Sequence, residues 1–409
     1  MPGSDVAPDA SPSTFSDRAP LSAAWAWLDA WPHPSSPDLV PLAEAAGRVL
    51  AEPLTMNPKP PDQPRAAENG YAVRAADCDG ASDYNPLPLL LSPAGARSLP
   101  PGSACPIASG LPLPSGADAV LPLEAAQQSS ARMLEVLAPV APGTGIERTQ
   151  PAGTTLEPGR RLGPLDLAGL AAMAVGQVPV CVRPRVALLV PGAKSGPDAL
   201  TSMLCALLSR DEASVIPVPV AGADEHSLTA ALTSIEDAAL VLIAGRAGLG
   251  PDDTAAGALR AAGGDLAMHG LALRPGGVSG LGTLTRTGLP VPVLLLPGEP
   301  VACLAAYDML AARLVRRLAG IGTALPYPVA EFELSRKIVS GISIVDVVPV
   351  RLTDGLASPI GADAGFPAAV RADGFVVVPE TSEGYKEAAR VCVHCYDTRR
   401  AGGSPDMTS

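Results

Sequence analysis

From Arg185 onward, short apolar runs alternate with amphipathic segments, and this alternation restricts the possible folds more than any other property of the chain. Val186–Val190 is followed by a helical pattern over Asp198–Ser209, then Val215–Val220, a second helical pattern over Ser227–Ile235, and Ala239–Ala244. Apolar strands joined through helices lie parallel, because a helix-length crossover brings the chain back to the same end of the sheet. In the first helical segment Leu200, Met203, Leu204, Leu207 and Leu208 fall at i, i+3, i+4, i+7 and i+8, so one face is buried. The series continues through Leu266–Leu273 and Val291–Leu296 into a long helix, Pro300–Leu318. There Pro300 suits the first helical position, Arg316 and Arg317 the negative end, and Gly320 the cap.

The flanking segments have other textures. Leu21, Trp25 and Leu28 mark a helix, and Leu39, Leu42, Ala46 and Val49 predict a second one beyond the Pro32–Pro37 break. Ala51–Pro142 is chopped by Pro and Gly, as in Leu87-Pro-Leu-Leu-Leu91, which predicts an irregular β module inserted into a helical domain that resumes at Ala168–Val175. After Gly322 the apolar period becomes two, in Phe332–Ser335, Val345–Leu352, Phe375–Val378 and Val391–Tyr396, with turns at Gly355, Gly361 and Gly374. The expected order is a disordered leader over 1–20, an N-terminal helical domain from 21–55 with 145–184, a β module over 56–144, an α/β domain over 185–322, a C-terminal β domain over 323–397 and a fraying tail over 398–409.

Charge and cysteine usage narrow the function. With 41 acidic and 29 basic residues the net charge is −12, and the chain has no basic stripe with which to displace counterions from nucleic acid. Seven cysteines, odd in number and scattered, point to a reducing compartment, and Cys392-Val-His-Cys395 reads as an alternating strand because no second pair completes a zinc site. The first 20 residues lack the basic and apolar regions of a secretory signal, and no apolar run approaches membrane-spanning length, so a soluble, cytoplasmic protein is expected. His33, His226 and His269 fit no metal spacing and read as structural or exposed.

Ligands of open α/β sheets bind outside the carboxyl ends of the strands. Three loops qualify: Pro191-Gly-Ala-Lys-Ser-Gly-Pro-Asp198, Gly245-Arg-Ala-Gly-Leu-Gly-Pro-Asp-Asp253 and Pro297-Gly-Glu-Pro300. Each places backbone N–H groups where an anion can be held, while Asp198 reads first as a helix cap. A phosphate-loop Gly-Lys-Ser/Thr and a Gly-x-Gly-x-x-Gly are both absent from the sequence, which removes the main support for ATPase or dinucleotide readings.

Three collinear stretches carry a resemblance. Glu68-Asn-Gly-Tyr-Ala-Val-Arg-Ala-Ala-Asp77, Ser109-Gly-Leu-Pro-Leu-Pro-Ser-Gly-Ala-Asp-Ala-Val120 and Leu296-Pro-Gly-Glu-Pro-Val301 resemble the Met-Asp-Gly-Tyr-Ala-Val-Arg, Thr-Gly-Ala-Pro-Leu-Pro-x-Gly-Ala-Asp-Ala-Val and Leu-Pro-Gly-Asn-Pro-Val elements of MoeA-type molybdopterin molybdenumtransferases. The resemblance implies a multidomain α/β and β subunit. Its parts are a MogA-like doubly wound domain, an irregular β insertion, a small helical domain and a C-terminal β domain. It further implies a cytoplasmic homodimer that binds a small anionic pterin and inserts molybdate into molybdopterin adenylate with Mg²⁺, releasing AMP, and that passes the product to a molybdoenzyme client. No nucleic-acid or membrane partner is implied. Carried over by position, the catalytic candidates are Asp118 and Asp198. The substrate-binding candidates are Gly245, Arg246, Gly248, Gly250, Arg274, Pro297, Gly298 and Pro300, and the metal candidates are Asp118, Asp198 and Glu299.

Departures from the family pattern fall on charged positions. Asn69 replaces an acid, Thr154 and Thr155 replace Glu-Asp, Ala193 and Lys194 stand in a formerly acidic loop, and Arg246 and Arg274 stand where the family has a glycine and a lysine. Loss of charge weakens a hard cation site most. Two readings follow: a divergent insertase with Arg246 and Arg274 bearing on the phosphates, or a homologue that binds the pterin or a partner without turnover. A third is an unrelated nucleotide-dependent enzyme on a doubly wound domain.

Overall fold

The structure is a computed structural model that describes residues 18–32, 37–56, 63–147, 154–192, 198–286, 288–361 and 365–397. Most of the expected leader and all of the tail lie outside these, as do His33, Ala193 and Lys194. The chain divides into two compact units, one of Met1–Pro53, Glu157–Leu167 and Gly176–Ser409, the other of Leu54–Leu156 and Ala168–Val175.

At the centre of the first unit is a six-stranded sheet ordered Ser214–Pro217, Arg185–Leu189, Leu240–Ala244, Leu289–Leu296, Gly280–Arg286, Asp265–His269. Its first four strands are parallel. Gly280–Arg286 runs antiparallel to both of its neighbours, Leu289–Leu296 and Asp265–His269, so the sheet is mixed and not the parallel one expected. The cause is local: two residues separate Arg286 from Leu289, and so short a return permits only a hairpin. Side chains of Arg185–Leu189 alternate between two cores. Val186 and Leu188 pack with Leu200, Leu204 and Leu208 on one face, and Ala187 and Leu189 with Leu228, Leu232 and Leu259 on the other. Each fully buried leucine stabilises by about 1.5–3 kcal/mol relative to exposure, and both faces are covered by helices, as a doubly wound sheet requires.

The helix Leu21–Asp29 forms as expected and joins the first core through Leu21, Ala24 and Leu28. The second predicted N-terminal helix does not form. Asp38–Pro41 is instead a strand paired antiparallel with Gln177–Val180, followed by a short 3-10 turn, Leu42–Glu44. Pro37 and Pro41 flank this segment, and proline removes both the donor and the room that a helix interior needs. The long C-terminal helix is continuous from Pro300 to Leu318 but carries a π turn over Tyr307–Ala311 between Pro300–Ala306 and Ala312–Leu318. Gly320 follows at φ +75 as its cap.

Beyond it, Val345–Thr353, Leu356–Pro359, Val329–Leu334, Arg390–Cys395 and Gly374–Val378 pair in that order and close back on Val345–Thr353, so the C-terminal strands form a small ring with few exposed edges. Gly374 is a strand residue rather than a turn. A Cβ there would stand 2.3 Å from the His394 carbonyl oxygen. The second unit holds a six-stranded sheet ordered Ala119–Pro122, Gly70–Val73, Ser103–Ile107, Leu87–Leu91, Met133–Val136, Ala126–Ser130.

Candidate functional site

Register places the carboxyl ends of the central strands level. Leu189 pairs with Ile243 and Ala244 with Leu296, so the three loops leave the same edge of the sheet. Residues 193–197 of the first loop lie outside the described residues. Its last member, Asp198, is the N-cap of Ala199–Arg210, with Oδ2 accepting from the Thr201 N–H at 2.8 Å and the Thr201 hydroxyl at 2.9 Å.

The second and third loops approach each other backbone to backbone. Gly245 has φ +102, its N–H donates to the Leu296 carbonyl at 2.9 Å, and a Cβ on Gly298 would lie 3.3 Å from the Gly245 Cα. Only glycine permits this approach without displacement. Arg246 follows at φ +57, a left-handed conformation that costs an L-residue roughly 1–2 kcal/mol. Its carbonyl accepts from the Ala255 N–H at 2.9 Å, and its Nη1 donates to the Asp252 carbonyl at 3.2 Å. Asp253 Oδ2 accepts from the Gly250 N–H at 2.8 Å and fills the space beside Gly248, where a Cβ would meet it at 2.4 Å. In the third loop Pro297 is buried, Glu299 caps Pro300–Ala306 by accepting from the Ala302 N–H at 2.7 Å, and Pro300 takes the first helical position. Among the described residues, the backbone N–H groups of Arg246, Gly248, Gly298 and Glu299 have no acceptor. Donors left unpaired where two loops meet at a strand edge make an anion-binding concavity.

The remaining candidates lie elsewhere. Arg274 pairs through Nε and Nη2 with the buried Asp346 carboxylate and donates to the Val339 carbonyl at 3.1 Å, so its fork is engaged by the C-terminal β strands. Asp118 belongs to the second unit, where its Oδ1 accepts from the Ala75 N–H at 2.7 Å. In that unit Asn69 keeps the acceptor of the acid it replaces, taking the Ser109 N–H at 2.9 Å. Thr155 bonds across the Leu54–Met56 pairing to the Thr55 hydroxyl.

The donor set is unsuited to a protein-built metal centre. Among the described residues no three His, Cys, Asp or Glu side chains gather at ligand spacing, and Asp118, Asp198 and Glu299 each hold a backbone N–H. Nor does the adjacent helix offer a nucleophile. Burial, then the Glu299 charge, pushes the Cys303 thiol up to about 12, which keeps it protonated at neutral pH.

Two supporting residues escaped sequence reasoning. Asp253 reads in sequence as one more polar loop residue. His269 joins the loop from a strand 22 positions away, its Nε2 standing 2.7 Å from the Ala247 carbonyl oxygen. Only tertiary structure brings such partners together.

Comparison with known proteins decides the family. A family model described as "MoeA N-terminal region (domain I and II)" matches residues 19–174, and one described as "Probable molybdopterin binding domain" matches residues 186–317, which span all three loops. Molybdopterin molybdenumtransferase 2 of Mycobacterium tuberculosis is 32% identical over 303 residues, covering 67% of this chain and 73% of that protein. The chain belongs to the molybdopterin molybdenumtransferase family. Molybdopterin molybdenumtransferase 1 of the same organism is 30% identical over 317 residues, covering 68% and 74%. Among solved structures, a molybdopterin biosynthesis MoeA protein from Pyrococcus horikosii superposes with a TM-score of 0.76 at 28% identity, over 93% of this chain and 100% of that one. The MoeA-like multidomain α/β architecture expected from the sequence is therefore the one observed.

Proposed function

We propose that the chain performs the metal-inserting step of molybdenum cofactor biosynthesis, transferring molybdate into adenylated molybdopterin with release of AMP. Family membership supports the reaction class. The observation that carries the site assignment is the set of unpaired N–H groups on Arg246, Gly248, Gly298 and Glu299, held by two loops whose glycines touch. Such donors, fixed before substrate arrives, stabilise charge on a departing phosphate without reorganising. In this reading Gly245, Gly248 and Gly250 allow the backbone to reach the phosphates, Pro297, Gly298 and Pro300 shape the facing loop, and Arg246 offers a guanidinium fork matched to phosphate oxygens. Asp198 and Glu299 act as caps that hold the loop ends, and Arg274 acts through Asp346 as a positioning residue. Asp118 is the carboxylate candidate of the second unit.

Magnesium, implied by the resemblance, meets no built ligand group among the described residues. A cytoplasmic homodimer delivering product to a molybdoenzyme belongs to the same proposal. The seven free cysteines agree with a reducing compartment. A division into domains over 21–55 with 145–184, 56–144, 185–322 and 323–397 is likewise part of the proposal.

A second reading, binding without turnover, is favoured by one observation. The acids Asp118, Asp198 and Glu299 all hold backbone amides, and Asn69 has lost its charge. Purified full-length protein mixed with molybdopterin adenylate and molybdate decides between them: AMP release supports the transferase, whereas tight binding without AMP release supports the second reading.

A further inference from the structure

Around the phosphate-facing loops four described acids are engaged with the fold, while Asp252 offers its backbone carbonyl to Arg246. Asp198 holds Thr201, Glu299 holds Ala302, Asp253 holds Gly250 and Asp224 holds Ser227, each through a backbone N–H at 2.7–2.9 Å. A magnesium ion demands near-octahedral oxygen ligands and takes at least one or two carboxylates besides waters and phosphates. These acids are spread over four helix starts and turns, and none forms part of a ligand cluster among the described residues. Among the described residues of these loops the cation is Arg246. Whereas Arg185, Arg210, Arg274, Arg313 and Arg316 each pair with a carboxylate, Arg246 forms no ion pair among the described residues and makes a single side-chain hydrogen bond, to the Asp252 carbonyl at 3.2 Å. It is half-buried beside the unpaired amides and is held in a left-handed conformation by the Ala255 N–H on its carbonyl. Its remaining N–H groups are free to take two phosphate oxygens in a fork, and its charge is permanent.

We infer that Arg246 supplies the counter-charge for the substrate phosphate in this chain, so that binding of molybdopterin adenylate does not require a divalent cation. The inference rests on the reading that this site takes that substrate. It makes Arg246 the residue that sets cation dependence, and it accounts for a side chain at a backbone conformation suited to glycine.

The test is calorimetric titration of the full-length protein with molybdopterin adenylate, in excess EDTA and in millimolar Mg²⁺. For the wild type the two Kd values should agree within about threefold. Arg246→Ala should weaken binding in EDTA by about 10- to 100-fold, the range for a charge-assisted hydrogen bond, with Arg246→Lys in between. Thermal melts confirm that each variant is folded, and the wild-type comparison stands without them. A wild-type Kd that rises tenfold or more in EDTA overturns the inference while leaving the substrate assignment intact, and so does an Arg246→Ala variant that binds like wild type. Absence of wild-type binding in both buffers overturns the substrate assignment together with the inference.

Discussion

Arg246 and Asp198 carry opposite energetic signs. Arg246 stands at φ +57 and is costly to the fold, so Arg246→Gly should stabilise the protein by about 0.5–1 kcal/mol in urea unfolding even as it weakens phosphate binding. A destabilised glycine variant would mean that the arginine side chain holds the loop together. Asp198 stabilises the helix start through two bonds from Thr201. Asp198→Ala should cost about 1 kcal/mol, and Asp198→Asn should recover most of it. If the Asn variant keeps stability but loses AMP release, the charge of Asp198 serves the reaction and not only the cap. The cap was legible in the sequence, because Asp198 directly precedes an amphipathic pattern. The strain at Arg246 was not, since the sequence records a residue type and leaves its dihedral angles open. The side-chain partner of Arg274, Asp346, lies 72 positions away and was equally invisible.

The long helix shows where periodicity carries an element and where it stops. Proline at the start, arginines at the end and a glycine cap bounded Pro300–Leu318 correctly, yet the π turn over Tyr307–Ala311 leaves no mark on the apolar spacing. That turn carries a buried polar group. Asp308 accepts from Arg210 at 2.9 Å and from the Tyr327 hydroxyl at 2.8 Å, while Tyr307 donates to Asp211 at 3.1 Å and Arg316 to the same carboxylate at 3.0 Å. Removing one donor leaves a desolvated acceptor. Tyr327→Phe should therefore cost about 1–3 kcal/mol, and Arg210→Met, which strips the cation from buried Asp308 and one of two from buried Asp211, about 3–5 kcal/mol. Equilibrium denaturation measures both, and losses below about 0.5 kcal/mol would mean that water replaces the missing partners. The predicted helix over Leu39–Val49 failed for the converse reason. Its apolar spacing fits a helical stripe, but the flanking prolines and the antiparallel partner Gln177–Val180 favour extended backbone.

For the molecule as a whole, net charge and acid response connect composition to stability. Hydrogen bonds from Arg313 hold the Asp29 carboxyl below its usual range, and those from Arg160 do the same for Asp166. A depressed carboxyl contributes stability that is complete above its unfolded value of about 4 and is lost as pH falls through the lower folded value. Unfolding free energy should therefore drop below about pH 4, and Asp29→Asn and Asp166→Asn should each flatten that slope. An unchanged slope in both variants would place acid sensitivity elsewhere. The global charge of −12 opposes an anionic ligand only weakly, because screening confines it to a Debye length of about 8 Å, within which unpaired amides and Arg246 set the local sign. Fold class, the three loops and the family were legible because they depend on pattern and order along the chain. The fate of the acids was not, because capping and catalysis use the same residue types. The most direct measurement is AMP release from molybdopterin adenylate by the full-length protein, followed with and without molybdate. The proposed transferase activity predicts AMP formation that depends on both protein and molybdate, with molybdenum retained on the pterin. Saturable binding of the adenylate with no AMP formed would contradict it.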